Sequence, residues 1–68
     1  MVDKKELRAE IVRNGLTQQK LAEILGMSEK TFITRMQRGV FGTDHVEKMI
    51  EVLHIEDPMR VFFAKREA

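Results

Sequence analysis

The sequence predicts an all-α fold of five short helices, and three observations carry that prediction. Apolar residues recur at helical i, i+3, i+4 spacing, and no stretch alternates with period two for long enough to argue a strand. The four glycines and the single proline fall almost entirely between the periodic stretches, where they act as breaks. A residue suited to capping stands before each stretch.

Each helix follows from its own signals. Asp3 with Glu6 three positions on has the spacing of a capping box; Leu7, Ile11 and Asn14 then share a face and Gly15 marks the stop, giving a first helix over 4–14. Thr17 caps a second helix over 18–25, in which Leu21, Ile24 and Leu25 repeat at i, i+3, i+4 before Gly26. Ser28, the sole serine, caps a third over 29–38 that sets Phe32 and Met36 one turn apart and ends at Gly39. After the loop at 40–43, Asp44 with Glu47 three residues later caps a fourth over 45–54, carrying Val46, Met49, Ile50 and Leu53. Asp57-Pro58 reads as an N-cap with proline at the first helical position, opening a fifth helix over 58–66 with Met59, Phe62 and Phe63 as its apolar stripe. The expected core is Leu7, Ile11, Leu21, Leu25, Phe32, Met36, Val46, Ile50 and Leu53.

Size and composition limit what such a chain can be. Sixty-eight residues leave room for a single domain, 1–68, and at this length a fold buries about 60% of the surface of its unfolded chain. With no cysteine there is neither a disulfide nor a thiolate metal site, so packing must hold the fold, with a second subunit as an added source of burial. Hydrophobic residues at 43% and charged residues at 34% exclude a disordered chain. The strongest apolar run near an end covers only 61–64, and the chain opens Met-Val-Asp-Lys-Lys-Glu, so the expectation is a soluble cytoplasmic protein without membrane span or signal.

The net charge of +1 conceals a polarised distribution. Residues 1–16 sum to +1, 17–42 to +2, 43–57 to −4 and 58–68 to +2. Such a chain suits one face on a polyanion and another turned away, although ordinary solvated helix faces produce similar patterns.

The most informative segment joins the second and third helices. Only Gly26-Met27-Ser28 separates them, a connection too short for antiparallel packing, so the helices must cross steeply, with Gly26 at positive φ and Ala22 permitting close approach. That arrangement is a helix-turn-helix, spanning about 17–39. At 100° per residue, Lys30, Thr34 and Gln37 lie opposite Phe32 and Met36. Lysine donates to guanine, glutamine pairs with adenine, and threonine offers a hydroxyl and a methyl. Ile33, partly outward, suits a thymine methyl, and Glu29 accepts from cytosine while repelling phosphate.

The segment resembles the phage Cro and lambda-repressor-like helix-turn-helix regulators. The matching residues are Leu16-Thr17-Gln18, Leu21-Ala22, Gly26-Met27-Ser28, Thr31-Phe32 and Arg38-Gly39, within about a third of the chain. Phe32 stands where that family usually has isoleucine or valine, and the thirteen positions from Gly26 to Gly39 are closer to Cro than to many repressors. The resemblance implies a five-helix lambda-repressor-like domain and a phage or prophage transcriptional regulator on a palindromic double-stranded DNA operator. It also implies that Gln18, opening the second helix, holds backbone phosphate. Lys20, Arg35 and Arg38 are the further phosphate candidates, with an ion pair to a neighbouring acid as the alternative for Arg35.

Other readings are weaker. His45 and His54 lack a third ligand at metal spacing, Ser28 has no base at readable spacing, and no catalytic constellation emerges, so neither an enzyme nor a cofactor or small-molecule ligand is expected. Phe62 and Phe63 point about 100° apart, so one closes the monomer while the other, with Val61 or Met59, is a candidate homodimer contact. The rival to a DNA-binding regulator is a protein-binding adaptor on the same scaffold, an antirepressor or antitoxin-like component; a sequence-independent architectural DNA binder ranks third.

Overall fold

The computed structural model describes residues 1–64, and among them it has five helices and no strand. They are α1 (Lys4–Arg13), α2 (Gln18–Ile24), α3 (Glu29–Arg38), α4 (Thr43–Leu53) and α5 (Pro58–Phe62). Four start on the side-chain caps that the sequence signals. Asp3 accepts from the Glu6 amide at 3.1 Å, Thr17 from Lys20 at 3.1 Å, Ser28 from Thr31 at 3.1 Å and Asp57 from Arg60 at 3.3 Å.

The first four helices share one kind of ending. In each, a residue in the left-handed region turns the chain back while the next amide donates to a carbonyl five residues earlier: Leu16 to Ile11, Met27 to Ala22, Val40 to Arg35 and Ile55 to Ile50. Glycine fills that position after α1, α2 and α3, as the sequence predicts. After α4 it is His54, with φ of 53°, a conformation that a side chain resists and that no glycine announces.

Two helices depart from expectation at their bounds. α4 begins at Thr43 rather than 45, with Gly42 as an N-cap that makes no side-chain hydrogen bond. Asp44 therefore sits inside the first turn, where its charge favours the helix dipole, instead of capping. Within α4 the packing turns Met49 and Leu53 fully inward and leaves Val46 and Ile50, expected in the core, half-buried against it. α5 stops at Phe62, short of the expected 66, because Phe63 leaves helical geometry (φ −129°, ψ 33°) and the Ala64 amide turns away to the Met1 carbonyl at 3.0 Å. Positions 65 and 66 of the expected helix lie outside the described residues.

The core takes the other seven expected residues and adds Val2, Ala22, Met49, Ile55, Val61 and Phe62. Phe32 is at its centre, with its ring 5.4 Å from that of Phe41. Polar ties fix the helices around it. The Asn14 amide donates to the Glu10 carbonyl at 2.8 Å and, across the fold, to the Leu53 carbonyl at 3.0 Å, so the end of α1 satisfies the end of α4. Arg60 donates to Glu6 at 2.9 Å, joining α5 to α1; that hydrogen bond, with the carboxylate's charge, raises the guanidinium pKa above its ordinary value. The N-terminal residues close the fold, since Val2 donates to the Gly39 carbonyl at 3.1 Å and Asp3 to the Val61 carbonyl at 2.7 Å.

Candidate nucleic-acid interface

The turn between α2 and α3 is built as its residue types demand. Gly26 takes φ of 76° and donates to Glu23 at 3.0 Å, while Met27 donates to Ala22 at 3.0 Å and packs half-buried against the core. Ala22 is fully buried where the helices pack. Ser28 then opens α3 at once, so no slack exists in which the second helix can rotate relative to the first.

That rigidity determines which side chains α3 presents. Phe32 and Met36 are buried, while Glu29, Lys30, Gln37, Arg35 and Arg38 are exposed and Ile33 and Thr34 are half-buried at the border. The base-reading candidates therefore share one outward surface, with Ile33 at its edge. Thr34 is less free than its position suggests, because its hydroxyl donates to the Lys30 carbonyl at 2.9 Å, leaving its lone pairs and methyl outward. Ser28 is committed as well, accepting from the Thr31 amide and donating to the Thr31 hydroxyl at 2.9 Å.

The phosphate candidates divide into two groups. Arg35 and Arg38 are exposed in the last turn of α3, and among the described residues neither has a carboxylate within 4.0 Å. The ion pair considered for Arg35 is therefore not formed there. Lys20 instead lies 3.5 Å from Glu23 on the exposed side of α2, which offsets part of its charge. Gln18 is half-buried and lines a cavity of about 300 Å³ with Arg8 and Thr17, where Ile11 and Leu16 are the buried and half-buried apolar members and Val12 is exposed.

Arg8 is a residue that the sequence does not single out. Only the apolar face of α1 is informative in sequence, and nothing in the local pattern announces that its opposite flank returns beside the start of α2. Thr31, which the sequence includes in the matching motif without a role, is exposed on the same helix as the base-reading candidates. In the tail, Val61 and Phe62 are both buried in the core, which corrects their place among the residues expected to pair subunits and leaves Met59 and Phe63 as the outward members of that set. His45 lies in the first turn of α4 with its Nδ1 buried and without a hydrogen-bond partner, and His54 is the left-handed residue closing that helix. Among the described residues no helix is long and apolar enough to cross a membrane.

A family model described as the antitoxin Xre-like helix-turn-helix domain matches residues 9–54, from the middle of α1 to the end of α4. The chain belongs to this family. The match covers more than half of the chain and includes the whole α2–α3 unit. It is the same broad kind of helix-turn-helix as the Cro and lambda-repressor group, and it supports DNA binding. No curated protein and no solved structure matches the chain.

Proposed function

We propose that the chain is a sequence-specific, double-stranded DNA-binding transcriptional regulator of the Cro or repressor type, of phage or prophage kind. It acts in the cytoplasm as a homodimer on a palindromic operator and works by occluding RNA polymerase. The observation that carries this reading is the outward face of α3, where Lys30, Thr34 and Gln37 stand opposite a buried Phe32 and Met36 on a helix held rigidly to α2. Glu29 and Ile33 complete the reading set. Gln18, Arg35 and Arg38, with Lys20 as the weaker member, hold phosphates on either side, and Arg8 joins Gln18 there. The acidic segment on α4 and after it faces away from the duplex. The domain supplies no catalytic group to this task and needs no cofactor.

A second reading has its own support, because the family carries the word antitoxin. In that reading the chain is one component of a pair and binds a partner protein, using the same scaffold. Selection of sites from a random DNA pool separates the two: a regulator enriches a defined palindrome, whereas a partner-binding component enriches nothing. On the selected site, Lys30→Ala and Gln37→Ala should each cost about 1–3 kcal/mol and flatten preference at one base pair per half-site. Gln18→Ala should weaken all sequences alike. Base preferences left unchanged by both α3 variants would sink the reading face as assigned.

A further inference from the structure

Two residues of the outward surface of α3 stand one turn apart on the same edge. Glu29 is exposed in the first turn and Ile33 is half-buried four residues on, so their Cβ atoms lie about 5–6 Å apart. The fold makes little use of either. The half-buried apolar residues that pack against the core do not include Ile33, and among the described residues the Glu29 carboxylate has no cation within 4.0 Å. The helix dipole favours any acid in this turn. It does not call for a β-branched side chain one turn later, which is a poorer helix former than alanine or leucine.

A carboxylate facing the major groove is selective. It accepts and cannot donate, so the acceptors that guanine and thymine present repel it, and it needs an amino group. Adenine sets its amino group beside the N7 acceptor, and N6-methyladenine keeps that acceptor, whereas cytosine offers N4 alone. Next to N4 on the same ring edge is C5, which carries hydrogen in cytosine and a methyl group in 5-methylcytosine. Thymine has the methyl group but an oxygen in place of the amino group. Only 5-methylcytosine sets a donor beside an apolar group with no acceptor between them.

We propose that Glu29 and Ile33 read one base per half-site together, and that the base they fit best is 5-methylcytosine. The Glu29 carboxylate accepts from the N4 amino group while Ile33 covers the 5-methyl group. This rests on the DNA-binding reading above and extends it from base sequence to base modification. An operator methylated at that cytosine is the tighter target, so occupancy follows the methylation of the DNA.

Competition among duplexes that differ at one position tests this. At each cytosine of the selected half-site, 5-methylcytosine and thymine (with adenine opposite) replace cytosine in turn, and N6-methyladenine replaces each adenine. One position should favour 5-methylcytosine over cytosine by about fourfold, the contribution of one buried methyl group. The same position should favour 5-methylcytosine over thymine by at least about fivefold. Ile33→Ala, checked for helicity by circular dichroism, should bring the first ratio to about one and leave the second. Glu29→Gln should narrow the second and leave the first, because the glutamine amide donates to the thymine oxygen as well as accepting from cytosine. Equal affinity of the wild type for cytosine and 5-methylcytosine at every position overturns the proposal. So does a methyl preference that survives in folded Ile33→Ala, one that falls on adenine, or a preference set by Glu29 at a position without cytosine. If Ile33→Ala does not fold, the wild-type ratios and Glu29→Gln decide. A chain with no base preference on unmodified DNA refutes the DNA-binding reading and this proposal with it, a result obtained before any modified duplex is used.

Discussion

Replacing Gly26 by alanine isolates the turn on which the α2–α3 geometry depends. A Cβ placed on Gly26 meets nothing within 4 Å, so the substitution introduces no clash and removes no contact. What remains is the backbone, held at φ of 76°, which disfavours a residue with a side chain by about 1–2 kcal/mol. A chain of this size has a total stability of about 3–10 kcal/mol, so the loss is a substantial fraction of the whole. Thermal unfolding followed by circular dichroism should show a midpoint lower by about 5–15 °C. Urea unfolding should show an unchanged slope with a lower midpoint, the sign of a stability change without altered compactness. Gly26→Asn should recover part of the loss, because asparagine enters the left-handed region more readily. At low temperature the folded Gly26→Ala protein should keep its base preferences, since a rigid turn that tolerates the side chain leaves α3 where it was. A loss below about 0.5 kcal/mol, within the ordinary range for surface substitutions, would show that the turn relaxes out of its left-handed conformation. Altered base preference in the folded variant would show that the alanine shifts the crossing of the helices as well as straining the turn. Either result refutes a Gly26 that acts through backbone strain alone.

Three further substitutions probe the core, the helix ends and the phosphate contacts. Phe32→Ala should cost about 3–5 kcal/mol in urea unfolding, since the fully buried ring touches Phe41 and lies at the centre of the core; a loss under about 1 kcal/mol would mean that the core collapses around the gap. Asn14→Ala should cost about 1–3 kcal/mol, because its amide satisfies the Leu53 carbonyl across the fold, and hydrogen exchange should rise at the end of α4 if that bond is the cause. Arg8→Ala should leave base preferences intact and reduce the log–log salt slope of operator binding by about one; an unchanged slope would remove Arg8 from the phosphate contacts.

What can be read from the sequence follows from how locally each feature is encoded. Asp3, Thr17, Ser28 and Asp57 cap within three residues of themselves, and Gly15, Gly26 and Gly39 announce left-handed turns by their type, so α1, α2 and α3 are legible almost to the residue. α4 is not, because its two ends use residues that carry the wrong signal: Gly42 caps without a side chain, and His54 occupies a position that glycine usually marks. Periodicity puts Val46, Met49, Ile50 and Leu53 on one broad apolar stripe, and only the way α4 lies against the other helices makes Met49 and Leu53 its buried centre and Val46 and Ile50 its margin. The outward set on α3 is legible for the same reason as the helix itself, as periodicity alone opposes it to Phe32 and Met36. Arg8 beside Gln18 is not legible, because it joins residues apart in the chain that only tertiary packing brings together. Tertiary placement likewise separates Phe62 from Phe63, which sequence can divide between core and surface but not assign.

The N-terminal residues link these features mechanically. Val2 and Asp3 bridge from the Gly39 carbonyl, where α3 ends, to the Val61 carbonyl within α5, and the Ala64 amide returns to Met1. Val2 is buried in the core between them. The end of α3, the N-terminal residues and α5 are thus tied by three backbone hydrogen bonds that truncation of a surface side chain leaves in place. Motion of α5 relative to the core must break at least one of these bonds or carry Gly39 with it. If the homodimer proposed for the operator forms, a weak interface between its copies suffices, because the operator, by holding two copies at fixed spacing, raises their effective concentration.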